Sequence, residues 1–546
     1  MTLITVLQIK MHNPIIFKEE RFQTMKKMTS MALTLPLLFS FASGALAKPQ
    51  IQNDSNLGVY YEIYVNSFSD SNNDGKGDLN GILQKLDYLN DGNPHTKKDL
   101  GVDSLWLMPI GPSPSYHKYD TTDFYSVDPA YGSMEDFRSL TQEAHKRGMK
   151  VTIDLALNHT SNKHPWFLEA AKDKNSPYRD YYIWADENTD LNEKGPWGQQ
   201  LWHESYPGSG DYYYALFIDF MPDLNFDNPK VREEMINVGK HWLNQGADGF
   251  RLDAAMHIYS KPDEADKNVA WWDEFKRGLA EVKPDVYLVG EVWDRPYKIA
   301  PYYKALDSSF NFDVSSKILD AVQNGSDNGL ASFASNTLDL YSSYASNPID
   351  APFLTNHDQV RTMSLLNGDV NKAKTAASIL LTLPGNPFIY YGEEIGMLGE
   401  KPDENIREPF RWYPGSGEGQ TNWEPSRDNS GPDAVSVEAQ AKDKESLLSH
   451  YKELIRIRHE SPALMKGDIR EMPTGDSRII GYTRTFEDDS VLVLHNLSGD
   501  TVTIELSGEQ WQGRKLDFAT SNSVKVKKSG DQLEITIPGY TTCGLK

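Results

Sequence analysis

An arginine and an aspartate stand at alternate positions in the segment GFRLDAAMH, which covers residues 249–257. In a strand over residues 249–253, side chains alternate between the two faces, so Arg251 and Asp253 share one face. On an exposed antiparallel strand this would be an ordinary surface ion pair. Helix-like sequence on both sides instead predicts a parallel sheet covered on both faces, where two charges are unfavourable unless they serve a function.

Two further acids follow predicted strands in the same way. Glu291 closes the fifth predicted strand and Asp358 closes the seventh. In a barrel of parallel strands the carboxyl ends converge on one pocket, which would bring these acids close to Asp253. Paired carboxylates that act on a sugar acetal, one as nucleophile and one as proton donor, are typical of glycoside hydrolases. A metal hydrolase is disfavoured, because no HExxH or comparable ligand spacing occurs.

The elements that must position these acids are eight short apolar runs separated by helical stretches. Eight such units predict a (β/α)8 barrel rather than an open doubly wound sheet. No glycine-rich phosphate motif follows the first run, which further disfavours a dinucleotide-binding fold. The predicted strands cover residues 58–71, 103–110, 149–160, 249–253, 286–293, the run around 310, 351–358 and 386–394.

Two stretches depart from this alternation. Residues 161–220 are rich in Trp and Tyr with few helix or strand signals, and so long a connection is normally functional or a small inserted domain. From about residue 465, short alternating runs such as SVLVLHNL and QLEITI predict an antiparallel β-sandwich. We therefore predict an α/β protein with three folded parts: a TIM barrel over residues 48–160 and 221–464, an inserted domain over 161–220 and a C-terminal β-sandwich domain over 465–546.

Residues 1–47 have the composition of a secretory signal. Lys26 and Lys27 precede an apolar run over residues 31–42, and Ala45-Leu46-Ala47 supplies the small residues of a cleavage site. The run is too short to span a membrane. We expect a secreted, extracellular product without membrane contact after the signal is removed; a retained anchor helix is the alternative.

The charge and cysteine content exclude several classes of partner. The whole chain has a net charge of −23, and because the leader carries five Lys and Arg against two Asp and Glu, the remainder carries −26. Such a charge disfavours nucleic acid and anionic membrane surfaces as partners. A single cysteine, Cys543, excludes an intramolecular disulfide framework. We expect a monomer.

Residues 70–78, DSNNDGKGD, place oxygen-bearing side chains at alternate positions, with glycines that allow a tight wrap. A hard cation such as calcium requires this kind of oxygen-rich loop. The loop is not an EF-hand, because its twelfth position is Gly81 instead of a bidentate Glu, and only one helix flanks it. A solvated acidic turn is the alternative. The predicted metal site comprises Asp70, Asn72, Asp74, Lys76 and Asp78.

Four short blocks now define a resemblance: DLALNH at residues 154–159, GFRLDAAMH at 249–257, GEVW at 290–293 and FLTNHD at 353–358. In these blocks, their order and their positions at the predicted strands, the chain resembles the α-amylase family of retaining glycoside hydrolases. The likeness covers essentially everything after the leader. A fifth block, MPDLN at 221–225, is similar to the subgroup intermediate between oligo-1,6-glucosidases and neopullulanases, which includes several secreted bacterial α-amylases.

The resemblance implies a role for each matching position. Asp253 would be the nucleophile, Glu291 the general acid/base and Asp358 the transition-state stabiliser. The loop at residues 70–78 matches the calcium loop found in several members. Starch and maltooligosaccharides are the implied substrates. The residues implied in substrate binding are Tyr119, Asp120, His159, Arg251, His257 and His357.

Two positions bear on sugar and metal binding. Many α-amylases have Lys-His after the nucleophile strand, whereas this chain has Met256-His257, so the resemblance does not define the contacts to the leaving-side sugars. Asn158 stands where many α-amylases bind a second calcium, but the sequence does not identify a partner for it in the inserted domain.

Within the family, the alternatives to an α-amylase are an oligo-1,6-glucosidase, an α-glucosidase and a maltogenic amylase. Ala254, after the predicted nucleophile, resembles enzymes that act on α-1,4 links, since α-1,6-specific members more often carry Val. Export also favours a polymeric substrate. We therefore expect a secreted α-amylase that cuts internal α-1,4 bonds with retention. A non-catalytic carbohydrate-binding or scaffold relative is a remote alternative, because all three acids are present.

Overall fold

The structure is a computed structural model, and it describes residues 56–261, 264–431 and 434–546. The predicted leader, residues 1–47, lies outside the described residues. Within the described ranges, every helix is too short or too polar to cross a membrane.

The described chain contains eighteen strands, sixteen α-helices and four 3₁₀ turns. The strands are β1 Tyr60–Ile63, β2 Ser104–Leu107, β3 Lys150–Leu155, β4 Trp202–Glu204, β5 Tyr212–Tyr214, β6 Gly249–Leu252, β7 Tyr287–Gly290, β8 Ser308–Phe310, β9 Ile349–Ala351, β10 Phe388–Tyr390, β11 Asp468–Glu471, β12 Ile479–Phe486, β13 Asp489–Asn496, β14 Val502–Ser507, β15 Leu516–Ala519, β16 Lys525–Ser529, β17 Gln532–Ile537 and β18 Thr542–Leu545. The helices are α1 Val65–Phe68, α2 Leu79–Gln84, α3 Leu86–Leu89, α4 Met134–Lys146, α5 Pro165–Lys172, α6 Pro229–Gln245, α7 Ala265–Ala280, α8 Pro296–Ile299, α9 Phe312–Asn324, α10 Leu330–Ser342, α11 Thr362–Leu365, α12 Val370–Thr382, α13 Asp403–Ile406, α14 Val437–Gln440, α15 Leu447–Glu460 and α16 Pro462–Lys466. The 3₁₀ turns cover Arg179–Tyr181, Ala300–Lys304, Glu393–Ile395 and Glu509–Trp511.

Eight parallel strands form a barrel in the order β10-β1-β2-β3-β6-β7-β8-β9. Between β9 and β10 the ring is completed by single contacts: the Phe388 amide donates to the Pro352 carbonyl at 2.9 Å, and Phe353 bridges to Phe388. The predicted (β/α)8 barrel is confirmed.

Apolar side chains fill the inside of the barrel. A filled interior leaves the carboxyl ends of the strands as the place for a site. The interior cluster consists of Tyr60, Trp106, Tyr287, Val289, Phe310, Phe312, Ala351, Phe353 and Phe388.

Two of the predicted strands are misplaced. β1 ends at Ile63 and α1 follows it, so the prediction of a strand to residue 71 is wrong beyond residue 63. This run is buried throughout, and an apolar run without alternation fits a strand or a buried helix equally well. β9 covers Ile349–Ala351, so residues 352–358 lie beyond the seventh strand. Asp358 therefore stands on a loop instead of closing the strand itself.

The segment between β3 and α6 leaves the barrel and forms a small unit of its own. It contains helix α5 and the antiparallel hairpin of β4 and β5, where Trp202 pairs with Tyr214. Leu201, Trp202 and Leu216 form its separate small core. The Trp and Tyr that mark this segment in the sequence therefore pack mainly on each other.

The C-terminal strands form two antiparallel sheets, in the orders β11-β12-β13-β18-β15 and β14-β17-β16. The burial of β17 and β14 alternates along each strand, as expected when one face packs and the other meets water. A shared core that includes Leu494, Ile504, Ile535 and Cys543 lies between the sheets. The predicted C-terminal antiparallel sandwich is confirmed.

Two buried arginines bind the C-terminal end of α12, and one of them, Arg484, joins the C-terminal sheets to the barrel. Arg458, on α15, donates from Nη1 to the carbonyls of Leu381 and Leu383, both at 2.8 Å. Arg484, on β12, donates to the carbonyl of Thr382. The last carbonyls of a helix have no intrahelical partner. The two guanidinium groups therefore satisfy the C-terminal end of α12.

Candidate active site

The guanidinium of Arg251 contacts three carboxylates at the carboxyl ends of neighbouring strands. Arg251 on β6 pairs in register with Asp154 on β3, and its Nη1 donates to both Asp154 oxygens at 3.0 and 3.1 Å. The same nitrogen donates to Asp253 at 2.6 Å, and Nη2 lies 2.9 Å from Glu291. The Arg251 side chain is 1% exposed. Buried charges of this kind are tolerated only when paired, as they are here.

Burial raises the pKa of Asp253 and of Glu291, the two acids that follow β6 and β7 and contact Arg251. Burial raises the pKa of Asp253 to about 6, against the opposing effect of Arg251. Asp253 is therefore ionised at neutral pH. Burial also raises the pKa of Glu291; Arg251 opposes this, and the charges of Asp253 and Asp358 add to it. A carboxyl group whose pKa is raised in this way is suited to hold the proton that a general acid donates.

A tight turn after β6 fixes the position of Glu291. Ala254 has φ 48°, in the left-handed region that residues with a side chain rarely adopt. Its amide donates to Oε2 of Glu291 at 3.0 Å. The amide of His257 donates to the Ala254 carbonyl at 2.8 Å and closes the turn. Because Ala254 and Arg251 both contact Oε2, the proton of Glu291 belongs on Oε1.

Asp358 is held by two cations on the opposite side of the site. Its Oδ1 accepts from Nη2 of Arg407 at 2.9 Å, and its Oδ2 lies 3.1 Å from Nε2 of His357. Burial alone would raise the pKa of Asp358, but His357 and Arg407 hold it well below its usual range. Asp358 is therefore a carboxylate at neutral pH.

Tyr119 connects the two halves of the site. Its hydroxyl donates to Oδ2 of Asp154 at 3.1 Å and lies 2.7 Å from Nε2 of His357. The rings of Tyr119 and His357 are nearly parallel, with centroids 5.6 Å apart. The predicted residues Tyr119, Arg251 and His357 are thus brought together in one hydrogen-bonded group around the acids.

Asp120 and His159 lie at the edge of this group. Asp120 is buried and accepts hydrogen bonds from Ser113 at 2.7 Å and from Ser115. His159 is buried and neutral, since burial lowers its pKa to about 4. Its Nδ1 contacts Asn158, whereas its Nε2 is buried without a hydrogen-bond partner among the described residues. A free imidazole nitrogen in a sugar site suits a substrate hydroxyl.

His257 does not contact the acids. Its ring packs edge-on against Trp197 at 5.7 Å and Phe217 at 5.9 Å, both from the inserted segment. Burial lowers its pKa to about 4, so the ring is neutral. His257 therefore forms an aromatic cluster with Trp197 and Phe217 beside the Ala254 turn.

The structure also identifies the partner of Asn158, which the sequence left open. Nδ2 of Asn158 lies 2.6 Å from the His257 carbonyl and 3.4 Å from Oδ2 of Asp223, in the MPDLN block. Asp223 accepts from the Leu216 amide at 3.0 Å, and burial raises its pKa to about 8. This cluster thus holds a carboxylate, an amide and a carbonyl in one buried place.

The predicted calcium loop is folded around its own oxygen atoms. Asp70 accepts from the amides of Asn72, Asn73 and Gly75 at 2.7 to 3.0 Å. Asp78 accepts from the amide of Ser71 at 2.9 Å and from the amide of Gly81, in the first turn of α2, at 2.7 Å. Among the described residues, no group of three or more His, Cys, Asp or Glu is arranged to hold a metal ion.

The chemistry of this loop nevertheless suits a hard cation. Asp70 and Asp78 are 6% and 4% exposed, and neither has a Lys or Arg within ion-pair distance in the described chain. Asn72 and Asp74 add two further side-chain oxygens. Lys76 can offer only its backbone carbonyl, because its side chain is itself a cation. Three carboxylates, two of them buried, together with the Asn72 amide oxygen and the Lys76 carbonyl fit calcium.

Two residues of the site, Arg407 and Glu62, were not predicted from the sequence. Arg407 comes from the long segment after β10, and nothing in its local sequence distinguishes it. Glu62, on β1, is 1% exposed and its Oε1 lies 2.5 Å from Nδ1 of His357. A signal for Glu62 did exist, since it is a single acid in the otherwise apolar run GVYYEIYV.

Comparison with known proteins defines the family. Residues 62–467 match the family model described as "Alpha amylase, catalytic domain", and residues 479–543 match "Alpha-amylase SusG C-terminal domain". The chain is 48% identical to Alpha-amylase 3 of Dictyoglomus thermophilum, over 89% of this chain and 93% of that protein. It is 37% identical to a 4-alpha-glucanotransferase of Thermotoga maritima, over 82% and 97%. The crystal structure of the α-amylase from H. orenii superposes with a TM-score of 0.84 at 49% identity, covering 90% and 99%.

The barrel and its carboxylate group therefore define a glycoside hydrolase. The chain belongs to the α-amylase family.

Proposed function

We propose that the protein is a secreted α-amylase that hydrolyses internal α-1,4-glucosidic bonds of starch and maltooligosaccharides with retention of configuration. The observation that carries the proposal is the shared guanidinium of Arg251, whose neighbouring nitrogens contact Asp253 at 2.6 Å and Glu291 at 2.9 Å. Contacts to one planar group place the two carboxyl groups side by side. A separation of about 5 to 5.5 Å is typical of retaining enzymes, in which no water fits between the acids.

In the first step, Asp253 attacks the anomeric carbon while Glu291 donates its proton to the leaving oxygen. Asp253 is suited to attack because it is ionised at neutral pH, and Arg251 aims it through a 2.6 Å hydrogen bond. Glu291 is suited to donate because burial and two nearby acids favour its protonated form. A covalent glycosyl-Asp253 ester forms, and the reducing-end part of the chain leaves.

In the second step, Glu291 acts as a base. It has lost its proton and now removes one from a water molecule, which attacks the ester and restores Asp253. Positive charge develops on the sugar in both transition states. Asp358, kept ionised by His357 and Arg407, supplies a fixed negative charge to balance it.

Replacement of either acid tests the chemistry. Asp253→Asn and Glu291→Gln keep the shape of the side chain, so we expect turnover to fall by several orders of magnitude while maltooligosaccharide still binds. Asp350→Asn is the control: Asp350 is another carboxyl group inside the barrel domain, more buried than Asp253 and Glu291, but it lies on β9 and accepts hydrogen bonds from Asn311. Proton NMR of the first product should show the α-anomer. An initial β-anomer, or near-normal activity of Asp253→Asn, would contradict the mechanism.

Product analysis tests the mode of attack. With soluble starch, internal cleavage lowers the iodine colour faster than reducing ends appear. Release of glucose alone would instead support an α-glucosidase, and cleavage of isomaltose would support an oligo-1,6-glucosidase. Maltotriose that yields products longer than itself would indicate a glucanotransferase, the activity for which one relative is named.

Export is supported by the composition of residues 1–47. N-terminal sequencing of the active protein from the medium of an expressing bacterium tests it. A mature chain that begins near residue 48 is expected, whereas cell-bound activity that retains Lys26 and Lys27 would indicate an anchor.

We propose calcium for the loop at residues 70–78, with Asp70, Asn72, Asp74, Asp78 and the carbonyl of Lys76 as ligands. Its contribution would be structural: a cation bound only by the folded loop stabilises the protein by mass action. A chelator should therefore lower the melting temperature, and Asp74→Ala should remove most of that response.

A matched control separates the cation from the turn. Asp186→Ala removes another exposed aspartate that accepts a nearby amide, as Asp74 does, but away from the loop. It should leave the chelator response unchanged. If the chelator does not change the melting temperature of the wild type, the loop is only a turn.

A further inference from the structure

His357 lies between two carboxylates that come from distant parts of the chain. Its Nδ1 is 2.5 Å from Oε1 of Glu62, and its Nε2 is 3.1 Å from Oδ2 of Asp358. The His357 side chain is fully buried and that of Glu62 is 2% exposed. Solvent therefore cannot take over either contact.

A neutral imidazole donates to only one of the two carboxylates. A neutral ring carries one proton and presents a lone pair at the other nitrogen. With the proton on Nε2, the lone pair of Nδ1 would face the Glu62 carboxylate. Protonated on Nδ1 alone, the ring could accept at Nε2 from the Tyr119 hydroxyl at 2.7 Å but would turn the same lone pair towards Asp358 at 3.1 Å. Only the imidazolium donates on both sides. In that form Nε2–H can also donate to the hydroxyl of Tyr119, which itself donates to Asp154.

We propose that Glu62 is a positioning residue for catalysis: it holds His357 as an imidazolium, so that a fixed positive charge and a fixed N–H stand beside Asp358. The inference deepens the proposed function and rests on it for its kinetic test. The four sequence blocks that mark the family do not include β1, and they assign no role to Glu62.

The surroundings of His357 support this assignment. Burial alone would lower its pKa, but Asp358 and Glu62 raise it to about 10. Arg407 donates from Nε to the His357 carbonyl at 2.9 Å, so that cation faces the backbone and not the ring. The titratable and charged groups that face His357 are Glu62 from β1, Tyr119 after β2, Asp154 on β3, Arg251 on β6, Asp358 beside it and Arg407 after β10.

The charge matters because Asp358 has only two cationic partners within ion-pair distance in the described chain, His357 and Arg407. A neutral His357 would remove one of them and would turn a lone pair towards the carboxylate. Glu62 keeps the imidazole charged over the whole working range, so the cation that pairs with Asp358 and orients it does not vary with pH.

Glu62→Gln tests the proposal, since it keeps the shape and removes the charge. Loss of an opposite charge at contact distance lowers a histidine pKa by about 1 to 3 pH units, which brings His357 from about 10 to about 7 to 9. Because the imidazolium is the active form, kcat/KM should fall as pH rises through this range. The variant should stay within a few-fold of the wild type near pH 6, and its alkaline limb should be displaced and steeper, since two protons are then lost instead of one.

Glu394→Gln is the matched control. Glu394 is fully buried, and its Oε1 accepts from the hydroxyls of Tyr61 and Tyr88 at 2.7 and 2.6 Å. Tyr61 is the neighbour of Glu62 on β1. Removing this carboxyl group perturbs the same strand without touching His357, so any loss of activity should be equal at all pH values.

NMR of the imidazole provides a readout that needs no substrate. The His357 resonances of the wild type should not titrate between pH 5 and 9, and those of Glu62→Gln should. If wild-type His357 titrates near its ordinary value, or if folded Glu62→Gln keeps the wild-type alkaline limb, the proposal is wrong. If the enzyme cleaves a different glucosidic bond, the proposed function fails but the imidazole titration still decides the role of Glu62.

Discussion

Asp223 is a fully buried carboxylate without a cationic partner among the described residues, and replacing it by Asn measures the consequence for stability. Its Oδ1 accepts the Leu216 amide at 3.0 Å, and its Oδ2 lies 3.4 Å from Nδ2 of Asn158. Burial raises its pKa from 3.8 to about 8. Asp223→Asn keeps the size of the side chain and abolishes the ionisation.

The sign and size of the effect follow from linkage. In the unfolded chain Asp223 loses its proton near pH 4, whereas in the folded protein it keeps the proton until about pH 8. The unfolded state therefore binds fewer protons between these values, and stability falls as pH rises. Each pH unit removes up to about 1.4 kcal/mol, so the loss between pH 4 and 8 is at most about 5 kcal/mol.

Calorimetry in the presence of a chelator measures this loss. From pH 5 to 8 the wild-type melting temperature should fall more steeply than that of Asp223→Asn, and at pH 8 the variant should be the more stable protein. Parallel pH dependences would refute the reasoning. The same measurement is then repeated with added calcium. If a cation binds at Asp223, calcium should raise the melting temperature of the wild type above that of Asp223→Asn.

Three further outcomes are expected at the site. Because the nucleophile must be ionised, kcat/KM should fall tenfold per pH unit below about pH 6, the pKa of Asp253; a limb near pH 4 in the pH profile would contradict this. Arg407→Lys keeps a charge but cannot reach both Asp358 and the His357 carbonyl, so kcat should fall by about 10- to 100-fold. Unchanged turnover in steady-state kinetics would show that the two contacts of the guanidinium are not needed. Tyr119→Phe removes the hydroxyl that links the two halves of the site and should lower kcat/KM by about tenfold or more, with the melting temperature as a check on folding.

The sequence was sufficient to predict those site residues that lie at the end of a strand with a recognisable apolar pattern. Arg251, Asp253 and Glu291 lie at the carboxyl ends of β6 and β7, as predicted, because apolar runs locate these strands, although the predicted fifth strand runs three residues past the end of β7. The extent of the first strand was wrong because α1 is as apolar as β1, so no period separates them.

Contacts between distant parts of the chain were beyond the sequence. Arg407 reaches Asp358 only because the segment after β10 folds back over the barrel. Asp223 meets Asn158 only because the inserted segment returns to β3 before α6 begins. In both cases the pairing depends on where a long loop closes, which local propensity does not determine.

The two arginines at the end of α12 have a consequence for any attempt to divide this enzyme. Arg484 belongs to the C-terminal sheet but satisfies a barrel carbonyl, that of Thr382, in a place where water cannot. A barrel cut off after α16 would expose that helix end together with the apolar surface beneath it. We therefore expect the barrel and the C-terminal sheets to unfold on heating in a single transition. Exchange of the C-terminal sheets between relatives should succeed only when Arg484 and helix α12 are transferred together.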